Sequence, residues 1–160
     1  MSLYDKIFTL DTLTRSLTVW NSENKKIVFT NGCFDILHKG HVDYLEKAKK
    51  LGDILIVGLN NDASVSALKG KNRPIQDETS RLAIIASLTS VDATLLFVEA
   101  TPMQLIQIIK PNVLCKGGDW PIDKIVGADF VQSYGGKIIT IPFIQGYSTS
   151  NIEQKIRNQE

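Results

Sequence analysis

Along this chain, short runs of almost unbroken apolar character alternate with stretches whose apolar residues fall at helical spacing. The runs are IVFTN (27–31), DILIVGLN (53–60), ATLLFVE (93–99), VLCKGGD (113–119, strand then loop) and KIITIPF (137–143). A half-exposed strand alternates polar and apolar residues, whereas a strand covered on both faces does not, and helices lying between such strands can supply the cover. The expected fold is therefore α/β: a doubly wound parallel sheet with helices on both faces, in a single domain. In such a sheet a ligand lies at the carboxyl ends of the strands, beside a reversal in strand order.

The intervening segments have helix signals. Val42, Leu45, Ala48 and Leu51 share one helical face, a helix is expected near 61–68, and another apolar-periodic segment runs from Thr79 to Leu88. Thr101 is expected to cap, and Pro102 to open, a helix ending near Lys110. A further helix is expected over 124–134, closed by Gly135-Gly136, and Ser148 to Asn151 lead into a last helix with Ile152 and Ile156 four apart. Residues 1–25 form a separate helical lead-in, with Leu13, Leu17 and Trp20 at helical spacing and Asp11 as its cap; residues 26–160 make up the α/β domain.

With 18 basic and 17 acidic residues the net charge is +1, and no basic stretch is dense enough to bind nucleic acid. Two cysteines, Cys33 and Cys115, lie outside any disulfide or zinc pattern and predict reduced thiols. Neither an export signal nor an apolar stretch of membrane-spanning length is present, so a cytoplasmic protein without membrane association is expected.

The chain has two histidines, His38 and His41, separated by Lys39-Gly40 and placed directly after TNGCFDIL, where a strand gives way to a helix. Free N–H groups and the positive end of the helix dipole favour a phosphate at such a junction. Neither a Walker loop nor GxGxxG is present. Metal ligation by HxxH would need a third ligand that the neighbouring sequence lacks, so no metal site is expected in the protein itself.

The stretch TNGCFDILHKGHVDYLEKAKKLGD, with LKGKNRPI, KGGDW at 116–120 and YSTSNI at 147–152, resembles the HxGH nucleotidyltransferase superfamily. Within it, the combination is most similar to the adenylyltransferase domains of ADP-heptose synthases, in the form that stands alone without the fused sugar kinase. The resemblance implies a Rossmann-like fold and an enzyme that joins ATP to D-glycero-D-manno-heptose 1-phosphate, giving ADP-heptose and pyrophosphate for a glycan such as lipopolysaccharide core. It implies Mg2+ accompanying ATP, and a homodimer.

By that resemblance, His38, His41, Lys69 and Arg81 are the catalytic set. Asn31, Gly32, Cys33, Phe34, His38, Gly40, His41, Lys116, Gly117, Asp119, Ser148, Thr149 and Ser150 bind the nucleotide. Asp35, Asp62, Lys69 and Arg73 lie on the acceptor side. Simpler readings stand beside several of these: Ser148 as a helix cap, Asp62 as a cap, the glycine pair as a turn, Trp120 as core or as cover for a base, and Lys71 and Asn72 as solvated surface. Other functions left open are a cytidylyltransferase acting on a polyol or amino-alcohol phosphate, and a nucleotide-sensing module without transfer.

Overall fold

The protein is described by a computed structural model covering residues 2–118 and 120–158. Its parallel strands are β1 (Ile27–Gly32), β2 (Ile54–Asn60), β3 (Ala93–Phe97), β4 (Val113–Gly117) and β5 (Lys137–Ile141). They lie in the order β3-β2-β1-β4-β5. The chain winds outward from β1 to β3, then crosses back to place β4 against the other side of β1. Strand order therefore reverses between β1 and β4, whose carboxyl ends are Asn31-Gly32 and Lys116-Gly117.

The helices are α1 (Leu10–Ser22), α2 (Lys39–Lys49), α3 (Asp62–Lys69), α4 (Glu78–Ala86), α5 (Met103–Ile109), α6 (Ala128–Ser133) and α7 (Thr149–Arg157). Alternate strand residues serve opposite layers. Ile27, Phe29, Ile56 and Leu114 pack with Leu13 and Leu17 of α1, Leu105 and Ile106 of α5, and Val131 of α6. Val28, Leu55, Val57, Val113 and Cys115 pack with Leu45 and Ala48 of α2 and with Leu82 and Ile85 of α4. Each buried aliphatic side chain stabilises by about 1.5–3 kcal/mol, against about 0.2–1 kcal/mol for an exposed pair such as Arg15–Asp11. The two apolar layers, not the surface charges, hold this sheet.

Local structure departs from expectation at four places. Thr9, not Asp11, caps α1, its hydroxyl accepting from the Thr12 amide, and Asp11 lies in the first turn. Pro102 is itself the cap residue of α5, so the expected Thr101 cap is displaced by one position. The helix expected over 124–134 begins only at Ala128, because Gly127 adopts φ 85° and packs so close to Ile106 that a Cβ there would lie 2.7 Å from its side chain. Finally, the lead-in is more than a helix. Ahead of α1, Ile7 bridges Thr94 and the Phe8 amide donates to the Thr94 carbonyl at 2.8 Å, so the segment covers part of the β3 edge. No helix of the described residues is long and apolar enough to cross a membrane.

Candidate active site

The sheet delivers Asn31 and Gly32 to the switch point, and the chain then turns through Cys33 and Phe34, the latter at φ 47°. The Phe34 ring folds back over Gly32 and meets the His41 ring edge-on at 5.2 Å. His38 occupies the cap position of α2 and makes no side-chain capping bond. That end of the helix is left open to an anion.

The two imidazoles stack with centroids 3.8 Å apart and planes inclined by 24°. The Nδ1 atoms of both are buried and have no hydrogen-bond partner among the described residues. Burial lowers the His41 pKa to about 4, with the charges of His38 and Lys69 adding to the effect, and burial also holds His38 below its usual value. Two neutral rings can stack this closely, whereas two imidazolium rings would repel. An arriving polyanion supplies the opposite charge that restores their basicity.

Gly40 is required between them: a Cβ there would lie 3.0 Å from the His38 ring and 3.4 Å from Tyr147 Cβ. Tyr147 immediately precedes the Ser148 cap of α7, and the Lys39 ammonium lies 5.4 Å from its ring centroid. The amino ends of α2 and α7 thus meet at one corner of the molecule. At α7, Ser148 Oγ accepts from the Asn151 amide at 3.1 Å.

A cleft of about 470 Å³ opens over the strand ends. It brings together Asn31, Gly32, Cys33, Phe34, His41, Lys69, Lys116 and Gly117, all expected from the sequence, with Trp120, for which cover of a base was one of two readings, and adds Asn60, Tyr44 and Phe143. Lys116 reaches across the switch point with Nζ 3.5 Å from Asn31 Oδ1, and burial depresses its pKa. A side cavity of about 200 Å³ shares Asn31, Pro102, Lys116 and Trp120 with the cleft and is walled by Leu114, Ile125 and Val126. His38, Gly40 and Ser148 to Ser150 do not line the cleft; His38 stacks on His41, which does, Ser148 and Thr149 are half-buried, and Ser150 is exposed. Asp119 lies outside the described residues.

Asp35, Asp62 and Arg73 of the expected acceptor side, and Arg81 of the expected catalytic set, all have partners within the protein. Arg81, expected in the catalytic set, is fully buried. Its guanidinium donates to the carbonyls of Cys33 (2.7 Å) and Gln76 (3.1 Å) and to the carboxylate of Asp62 (2.8 Å). Asp62 is therefore the partner of Arg81 rather than a helix cap; Asn61 caps α3. Asp35 is buried and accepts from the Ile75 and Gln76 amides and from Arg73. Those bonds hold its carboxyl below the usual range against the opposing effect of burial, which is the largest single influence. Arg73 is taken up by Asp35 (2.5 Å) and Glu153 (2.8 Å). Of the cations between 69 and 81, Lys69 alone lines the cleft.

Phe143 was hidden in the last apolar run. Strand β5 ends at Ile141, and the Phe143 ring lies where a Cβ on Gly117 or Gly118 would fall, at 2.7 and 2.9 Å, which explains the glycine pair. The signal that could have found Asn60 is an amide closing an apolar strand run. Tyr44, whose hydroxyl lies 2.6 Å from Thr30 Oγ1, ties α2 to β1.

Residues 29–155 match the family described as cytidylyltransferase-like. The chain belongs to this family of nucleotidyltransferases. It is 52% identical over 151 residues to Bifunctional protein HldE of Geobacter metallireducens, covering 94% of this chain and 31% of that protein. It is 50% identical over 154 residues to the protein of the same name in Pseudomonas fluorescens, covering 96% and 32%. The chain thus spans about a third of the length of these relatives. The crystal structure of the lipopolysaccharide core biosynthesis protein from Thermoplasma volcanium matches with a TM-score of 0.61 at 35% identity, covering 78% of this chain and 99% of that one. Pantoate-beta-alanine ligase from Francisella tularensis shares the fold, with a TM-score of 0.57 at 19% identity, covering 94% and 76%. The cytidylyltransferase-like match runs from β1 into α7, so the strand ends at the switch point and both helix amino ends fall within it.

Proposed function

We propose that this chain transfers AMP from ATP to D-glycero-D-manno-heptose 1-phosphate, releasing pyrophosphate and ADP-heptose for a heptose-containing glycan. The observation that carries the reading is the stacked His38–His41 pair at the open end of α2, with an unpartnered Nδ1 on each ring and a second helix amino end beside it. Identity to the HldE proteins and to the lipopolysaccharide core biosynthesis protein supports the choice of acceptor.

In this reading the adenine ring enters the side cavity against Leu114, Ile125 and Val126, under Trp120. The triphosphate runs over the α2 and α7 amino ends. An oxygen of the sugar phosphate attacks the α-phosphorus, the bond from that phosphorus to the oxygen bridging the β-phosphate breaks, and pyrophosphate leaves with the electron pair. The acceptor phosphate has its second pKa at about 6 and is largely dianionic at neutral pH, so it needs no strong base. His38 and His41 donate to the phosphoryl oxygens on which charge grows, and Lys69 and Lys116 add positive charge from either side. The described residues hold no group of three or more acidic, histidine or cysteine side chains able to hold a metal. Mg2+ accompanying the triphosphate would offset its charge.

Pyrophosphate release with ATP or CTP against heptose 1-phosphate, glycerol 3-phosphate and ethanolamine phosphate tests the proposal. Release confined to ATP with the heptose phosphate is the expected result; preference for CTP with a polyol phosphate, or ATP binding without release, overturns it. The homodimer implied by the family resemblance is tested by light scattering.

A further inference from the structure

Ser148, Thr149 and Ser150 lie at the amino end of α7, yet little attaches that helix to the body of the protein. None of its residues is buried. Among the described residues, the one hydrogen bond or ion pair from α7 to any part of the chain beyond the turn that precedes it joins Glu153 to Arg73 Nη2, in the loop after α3, at 2.8 Å. Arg73 Nη1 donates in turn to Asp35, which also accepts from the Ile75 and Gln76 amides, and the Arg73 carbonyl accepts from Ser66 on α3. Arg73 is thereby a two-armed link between the loop after β1 and α7. The pair is partly shielded, with side-chain exposures of 13% and 24%.

A carboxylate on the helix that faces a triphosphate is a liability unless its charge is taken up. Unpaired, Glu153 would repel the nucleotide and its removal would tighten binding. Paired, it holds the helix in place. We propose that Glu153 is a positioning residue which, through Arg73, couples docking of the 70–77 loop to placement of the Ser148–Ser150 turn over the nucleotide's phosphates. The inference rests on the reading of the site given above and adds to it a residue that touches no substrate.

The test is a series at Glu153 assayed by steady-state kinetics. Glu153→Gln and Glu153→Ala are expected to raise the ATP Michaelis constant on the order of tenfold, the cost of one charge-assisted link, with turnover at saturating ATP and the thermal midpoint little changed. Glu153→Asp should recover part of the loss, and Gln154→Ala, an exposed neighbour on α7, should match wild type. In an Arg73→Gln background, Glu153→Gln should cost nothing further, because the partner is already gone. An unchanged or lower Michaelis constant in Glu153→Gln, or an equal penalty in both backgrounds, overturns the coupling. If wild-type protein releases no pyrophosphate with any acceptor, the functional reading fails instead. Calorimetry of α,β-methylene-ATP binding to the same variants then decides the coupling by itself, weaker binding in Glu153→Gln supporting it and equal or tighter binding overturning it.

Discussion

An arginine bonded to two main-chain carbonyls and a carboxylate, and shut away from solvent, cannot turn to a substrate without abandoning all three. Arg81 is in that position. Arg81→Ala is expected to destabilise the protein by about 3 kcal/mol in denaturant unfolding, since it takes the donor away from the Cys33 and Gln76 carbonyls and leaves the half-exposed Asp62 carboxylate without its partner. Arg81→Lys should recover little, because an ammonium lacks the planar fork that serves diverging acceptors. His41 has the opposite character, a half-buried ring whose buried Nδ1 is left unused. Its folded pKa of about 4 lies below the unfolded value of 6.5, so between those pH values the unfolded chain binds more protons. Stability should therefore rise with pH from about 4 to 6.5, and the slope should shrink in His41→Ala. The same variant should lose a few orders of magnitude in turnover while remaining folded, at roughly 3 kcal/mol per transition-state donor. Calorimetry in two buffers of different ionisation enthalpy at pH 6 should detect proton uptake when ATP binds wild type, and less in the variant.

Two helices of very different attachment bring their amino ends together beside the histidine pair. α2 is tied to the sheet by buried Tyr44, Leu45 and Ala48, so its amino end is a rigid platform. α7 has no fully buried residue and depends on its half-buried first turn, on Ile152 and on Glu153. Gly40 stands where the two approach. Alanine in its place would improve helix propensity by up to about 1 kcal/mol, yet its methyl would lie against the His38 ring and Tyr147. Gly40→Ala is therefore expected to leave the melting temperature unchanged or slightly raised while turnover falls at least tenfold, about 1.4 kcal/mol in the barrier; parallel loss of both would show that Gly40 serves folding alone. The helix boundaries expected from the sequence hold to within a residue or two wherever apolar periodicity and a polar cap agree, as at α3 and α4. They fail at α6, where a tertiary contact of Gly127 with Ile106 stops the helix short. Periodicity read along one segment contains no information about which other segment will press on it.

Across the whole molecule, stability and chemistry are placed at opposite ends of the sheet. The lead-in covers the β3 edge at Thr94, near the amino end of that strand, while the cleft lies at the carboxyl ends of the strands. Deleting residues 2–9 should lower unfolding free energy by about 2–3 kcal/mol, mainly through lost burial of Ile7 and Phe8, and should promote association visible by light scattering. Turnover per folded molecule should persist; its loss would place the lead-in in the site. What the amino-acid order determined by itself was the parallel sheet, from apolar runs of nearly unbroken character, and the setting of two histidines and a glycine at a strand-to-helix junction. Both are local patterns, legible over a few neighbouring residues. Tertiary structure alone decided which cations face the cleft. Between 69 and 81 the chain offers Lys69, Lys71, Arg73 and Arg81, and their directions were settled by partners far away: Asp35, 38 positions from Arg73; Cys33, 48 from Arg81; and Glu153, 80 from Arg73. A guanidinium takes whichever acceptors folding brings within reach, and spacing along the chain does not reveal that distance.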